Sequence, residues 1–258
     1  MDKRNEHSVQ IERMAKPILL KKWQSFSKIL ADFQQQPPDL FVKKHRRLLK
    51  KWGEYDLDEE QEFTLGALLL SFGRKHRYIA SVDWSGEDER GQVQQGLNKI
   101  LKKRGARPFD WDQEAFEARV NMQSLRRGEY IPLLLAAMSE QLREQGLAIA
   151  LLEEGSDQID FTVLPIDTLE ELQHQSTPDD DLSICDTKIY QLFLTGLGSS
   201  PMKLMYSLKN TFSVSLQEIK TFCQDLPLVI GQGDILWAQA MKKQYEELGG
   251  TLFIEEMT

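Results

Sequence analysis

The chain has 258 residues, 41% of them hydrophobic and 28% charged, which is the composition of a globular protein, and its length suits two domains. No apolar run approaches the roughly 18 residues a membrane helix needs, and the opening MDKRNEHSVQIERM lacks the apolar stretch of a secretory signal, so the expectation is a cytoplasmic protein with no membrane contact. The formal charge of −8 is uneven: residues 1–52 carry 13 Lys and Arg against 5 Asp and Glu, an excess that would attract an acidic partner.

Ile11, Met14, Ile18, Leu19, Trp23, Phe26 and Leu30 recur near a 3.6-residue period and predict a helix over 10–33, with Pro17 as its kink or its start. QQQPPD at 34–39 breaks that pattern. A basic helix is expected over 40–52, with Leu48, Leu49 and Trp52 inward and the lysines outward. The acid-led stretch 56–72 predicts a third helix, whose apolar residues are Phe63, Leu65, Leu68, Leu69 and Phe72. RYIASVDW at 77–84 alternates as a first strand, and 85–105 reads as a helix opened by Ser85 and stopped by Gly105. After a loop with Pro108 and Trp111, a helix is expected over 128–146, with Pro132 in its first turn and Gly146 as its cap. A hairpin over 147–165, turning at EEGSDQ, and a helix over 167–175 complete the first domain. Residues 176–186, led by STPDDDLS, read as the linker between domains at 1–175 and 187–258.

In the second domain Leu192 and Leu194 share one face of a strand, and Leu204 and Leu208 recur at helical spacing. Ile235, Ala238, Met241, Tyr245 and Leu248 form a stripe. Three helices on one face of a small antiparallel sheet would bury these together. The expected class is therefore α+β: N-terminal helices plus an α+β domain with a small antiparallel sheet, then a small β-α-α-β-α-β domain.

Chemistry is sparsely signalled. Cys185 and Cys223 belong to no CxxC pair and read as two reduced thiols, while His7, His45, His76 and His174 lack metal-ligand spacing. Asp83 with Glu87, Asp88 and Glu89 is the one carboxylate cluster near a strand end, though acids are also expected where a helix opens. No nucleophile elbow, HExxH or Walker sequence is present, and Gly196, Gly198 and Lys203 miss the phosphate-loop spacing. No cofactor is implied. The basic run KKHRRLLKKW at 43–52 leaves RNA contact open beside the plainer reading of a solvated helix face.

Two resemblances add to this. YIASVDW, the acidic stretch after it and the hairpin LAIALLEEGSDQIDFTVLP make residues 55–175 similar to an uncharacterised family of bacterial domains. Residues 188–256, from KIYQLFLTGLGSSPMKLMYSLKNTF through GDILWAQAMKKQYEELGGTLFIEE, resemble the C-terminal domain of the bacterial ribosomal stalk protein. That resemblance implies a surface on the first two helices that captures translational GTPases, at Met202, Lys203, Leu204, Met205, Lys209, Ser215 and Lys220. The sequence departs from the family at Tyr206, where a lysine is usual, at Ser215, where the interhelical glycine is usual, and at Lys203, where a small apolar residue is usual. The leading expectation is a non-enzymatic interaction or adaptor protein that meets its partner, acidic or a GTPase, through this face. The alternatives are a translation-associated factor binding a GTPase, ribosome or RNA, and an enzyme of unknown class in the first domain.

Overall fold

The computed structural model describes residues 3–52, 64–120, 125, 127–154, 157–175, 182–198, 201–233 and 235–256. The chain divides into two compact units, Met1–Thr187 and Lys188–Thr258. Both are α+β, and among the described residues no helix is long and apolar enough to cross a membrane.

The N-terminal unit begins with α1 (Lys3–Leu19), which contains Pro17 without ending there. The break comes at Leu20, whose φ of 47° opens one 3-10 turn before α2 (Trp23–Gln34). The single helix expected over 10–33 is thus two. α3 (Pro38–Trp52) starts on a proline, whose missing N–H costs nothing in a first turn. α4 (Leu65–His76) is capped by Thr64, whose hydroxyl accepts the Ala67 N–H and donates to Glu154. The acidic start expected for this helix, 56–63, lies outside the described residues.

β1 (Ala80–Asp83) follows, and then α5 (Gln92–Arg104), which starts seven residues later than Ser85. Gly91 at φ 83° is its N-cap, and Gly105 at φ 71° ends it as expected. α6 (Gln113–Arg119) falls within the expected loop. Asp112 caps it, and seven residues are too few to display a period. α7 (Tyr130–Arg143), β2 (Leu147–Glu153), β3 (Gln158–Pro165) and α8 (Ile166–Gln175) come where expected. β4 (Ser183–Asp186) does not: it occupies the end of the expected linker and pairs with β2, from Ala150↔Asp186 to Glu153↔Ser183.

The sheet is antiparallel throughout, in the order β1-β3-β2-β4. Alternation along β2 splits its side chains between two cores. Ala148, Ala150 and Leu152 face a core built with α1 to α4 and α8, and Ile149 faces another built with α5, α6 and α7. Helices cover both faces, so β2 is apolar up to Glu153, and the two polar side chains buried in β3 are both bonded, Asp160 to Arg74 and Thr162 to the Tyr78 carbonyl.

His76, in the last turn of α4, lies against Phe72 with ring centroids 4.4 Å apart. Burial first, then the ammonium groups of Lys22, Lys103 and Lys75, hold its pKa below the usual 6.5. The unfolded imidazole therefore takes up a proton at higher pH than the folded one. Stability is complete above about 6.5 and falls as the pH drops through the lower folded value. His76→Gln is expected to flatten that part of the pH dependence of the denaturation midpoint. An unchanged slope would show that His76 is not responsible.

The C-terminal unit runs β5 (Tyr190–Gly196), α9 (Pro201–Phe212), α10 (Leu216–Phe222), β6 (Leu228–Gly233), α11 (Ile235–Glu247) and β7 (Thr251–Glu256). The antiparallel sheet has β5 in the centre, flanked by β6 and β7. Leu192 and Leu194 meet Leu204, Leu208, Ile219, Tyr245 and Leu252 in one core. The Tyr245 hydroxyl, deep among them, bonds Thr211 at 2.6 Å. Phe193 lies in register with both Val229 and Phe253, and the rings of Phe193 and Phe253 stack 4.7 Å apart, tying the three strands together.

Candidate functional site

On α9 the core-facing pair is Leu204 and Leu208, and on α10 with its C-cap it is Ile219 and Cys223. Fixing those stripes turns other positions outward. Met202 and Tyr206, four residues apart on α9, are 47% and 53% exposed, and Phe222 on α10 is 39% exposed. Phe222 touches Phe212 edge-on, with centroids 6.3 Å apart. Lys203 and Lys220 are exposed and Lys209 is half-buried, and among the described residues none of the three has a side-chain hydrogen bond or ion pair.

Three residues of the expected surface turn out to serve the fold. Leu204 is fully buried, because the stripe that pins α9 to the sheet passes through it. Met205 is half-buried against the same core. Ser215 is the N-cap of α10: its hydroxyl accepts the Glu218 N–H at 3.3 Å, while the Glu218 carboxylate accepts the Ser215 N–H at 2.8 Å. The bond to the Ser215 side chain first, then that to its backbone, hold the Glu218 carboxyl below its usual range. The serine therefore starts α10. Phe222 escaped the sequence reading, although in QEIKTFC the core pair Ile219 and Cys223 already leaves it off the buried stripe.

The turn from β5 to α9 is shaped by packing. Gly198 sits at φ 60°, and a Cβ there would lie 1.6 Å from the Gly249 carbonyl oxygen. The Gly249 carbonyl oxygen thus occupies the space that a side chain at 198 would need, which requires glycine there.

In the N-terminal unit the acids at 83–89 are divided among local tasks. Asp83 accepts the Ser85 hydroxyl at 2.5 Å and the Ser85 N–H at 2.7 Å, and these bonds hold its carboxyl low. Glu87 accepts the N–H groups of Gly91 and Val93, capping α5 where the helix dipole favours an anion. It also accepts from Gln113, whose amide reaches Glu117 and the Tyr130 hydroxyl as well. Burial is the main reason the Tyr130 phenol is pushed up to about 12, so at neutral pH it stays protonated and donates to Glu117 at 3.0 Å. Asp88 and Glu89 are exposed. Among the described residues no three His, Cys, Asp or Glu side chains are grouped to hold a metal ion.

The basic run on α3 is a solvated face. Phe41, Leu49 and Trp52 are buried, and Lys43, Lys44, Arg46, Arg47, Lys50 and Lys51 are exposed. Lys44 and His45 both bind Asp32 of α2, at 2.6 and 2.5 Å. Cys185 and Cys223 are buried thiols, and burial pushes that of Cys223 up.

No curated protein and no solved structure matches the chain. A family model described as a domain of unknown function (DUF6630) matches residues 20–180, from the turn after α1 through α8. That span is more than half of the chain, and the chain therefore belongs to the DUF6630 family.

Proposed function

We propose that the protein is a non-enzymatic interaction or adaptor protein whose C-terminal unit docks an acidic protein segment on the outer face of α9 and α10. The observation behind this reading is that α9 and α10 together carry three exposed apolar side chains, Met202, Tyr206 and Phe222, and three lysines that have no carboxylate partner among the described residues. A methionine moulds to irregular surfaces, and a tyrosine offers a large rigid contact at little cost in conformational entropy. Unpaired lysines around them set the charge of the partner and speed its arrival. Reversing all three charges (Lys203→Glu, Lys209→Glu and Lys220→Glu) is expected to weaken binding of the wild type's partner at least about tenfold at low salt, with a smaller loss at high salt. Equal affinity of both proteins for that purified partner would contradict the reading.

The β-α-α-β-α-β order favours a second reading, in which the partner is a translational GTPase or the ribosome, as the resemblance to the stalk domain implies. Co-sedimentation with ribosomes at low salt separates the two. It also reports on contact between α3 and RNA, since phosphate contacts are strongest there.

A further inference from the structure

We propose that a cleft at the β1 edge of the N-terminal unit binds a small ligand through a phosphate group. The cleft has a volume of about 360 Å3, within the size range of small-molecule sites. It lies where the C-terminal end of α4, the outer strand β1 and the middle of α5 come together, and its lining includes Arg74, Arg77, Ser81, Gln95 and Lys99 but no carboxylate.

The charges around it are unbalanced in a specific way. Arg74 is committed to Asp160, with Nε donating to one carboxylate oxygen at 2.7 Å and Nη2 to the other at 2.5 Å. That bidentate pair neutralises the acid behind the cleft. Arg77 and Lys99 are exposed, and neither has a side-chain hydrogen bond or ion pair among the described residues. Two positive charges remain over one concavity, and the Gln95 amide beside them is likewise unbonded.

The backbone explains why both cations line the cleft. Arg77 caps α4 in the left-handed region, at φ 62°, where the chain turns toward β1. α5 can lie close over β1 because residue 96 is glycine: a Cβ there would fall 2.8 Å from that of Ala80. Ile79, Ala80 and Ile100 also line it, so part of its wall is apolar, and an apolar wall strengthens the field of nearby charges. A phosphate monoester carries about two negative charges at neutral pH and matches Arg77 and Lys99 together, whereas a carboxylate leaves one unanswered. A guanidinium also offers a planar fork suited to phosphate oxygens. This site is in the other unit from the docking face and does not depend on it.

The test is a titration of the full-length protein with inorganic phosphate, followed by calorimetry and by amide chemical shifts. Saturable binding is expected at roughly millimolar concentration or below, with shifts around Arg77 and Lys99. Arg77→Gln combined with Lys99→Gln should weaken it by about tenfold, the loss of two charge-assisted contacts. Lys99→Gln alone, at an exposed position that puts folding at little risk, should weaken it by about threefold. Lys102→Gln, an exposed cation on the same helix outside the cleft, should leave it unchanged. Acetate should bind at least about tenfold more weakly than phosphate. The proposal is overturned by no saturable phosphate binding, by Lys102→Gln acting as strongly as Lys99→Gln, or by acetate binding as well as phosphate.

Discussion

Asp160→Ala is expected to destabilise the N-terminal unit by about 3–5 kcal/mol, the usual loss when one partner of a buried ion pair is removed. Asp160 lies in β3, opposite Ser81 on one side and Leu152 on the other, and is 1% exposed. Its carboxylate accepts from Arg74 Nε and Nη2, so the pair joins α4 to the middle of the sheet. Alanine would leave the guanidinium with only about a fifth of its side chain exposed and its main acceptor gone. Asp160→Leu combined with Arg74→Met removes both charges together and should cost clearly less than the sum of the two single changes. Urea denaturation of the wild type, Asp160→Ala, Asp160→Leu, Arg74→Met and the double variant measures both effects. Additive losses would mean that the pair contributes nothing as a pair.

Gly198→Ala is the second large effect, about 3 kcal/mol or more, confined to the C-terminal unit. A left-handed conformation costs an alanine about 1–2 kcal/mol. Displacing a packed neighbour adds about 1–3 kcal/mol, and here the neighbour is the backbone oxygen of Gly249, which has no rotamer to escape into. The turn before α9 and the turn before β7 must therefore part. Gly196→Ala, two residues earlier, meets only the Thr251 side chain, Oγ1 at 3.3 Å and Cβ at 3.4 Å, and should change stability by less than about 1 kcal/mol. Trp237, the one tryptophan of this unit, packs beneath Gly231 and Gly233 and reports its unfolding by fluorescence. Similar midpoints for the two variants would contradict the packing described.

What was legible in the sequence was local. The alternation of Leu192 with Leu194, the hairpin of β2 and β3 and the glycine end of α5 each rest on neighbours within a few residues, and each was found in place. Features that depend on distant contacts were not legible. β4 is only four residues, all buried, and it exists because β2, some thirty residues away, offers an open edge. The start of α5 was misplaced because Glu87 stabilises the helix from outside, by bonding the N–H groups of Gly91 and Val93 across a loop.

Of the residues expected on the docking face, the structure shows only which are turned outward. Met202, Tyr206, Lys203, Lys209 and Lys220 point away from the core or lie at its margin, whereas Leu204 belongs to the stripe that anchors α9, and Ser215 is spent on the capping box of α10. The helical spacing of Leu204 and Leu208 already marks the buried face of α9, so at Leu204 the period and the resemblance disagree, and the structure follows the period. The anion cleft had no local signature, because Arg77 and Lys99 are joined only by the packing of α5 over β1.

The docking face is tested most directly by photo-cross-linking from position 206. A benzophenone side chain in place of Tyr206, in the full-length protein inside its own cells, is compared with the same group in place of Lys243, which is exposed on α11. The account predicts one acidic protein joined at position 206 and not at 243, with the adduct lost when Lys203→Glu, Lys209→Glu and Lys220→Glu are added. Identical adducts from both positions, or an adduct at 206 that survives the charge reversal, would contradict it.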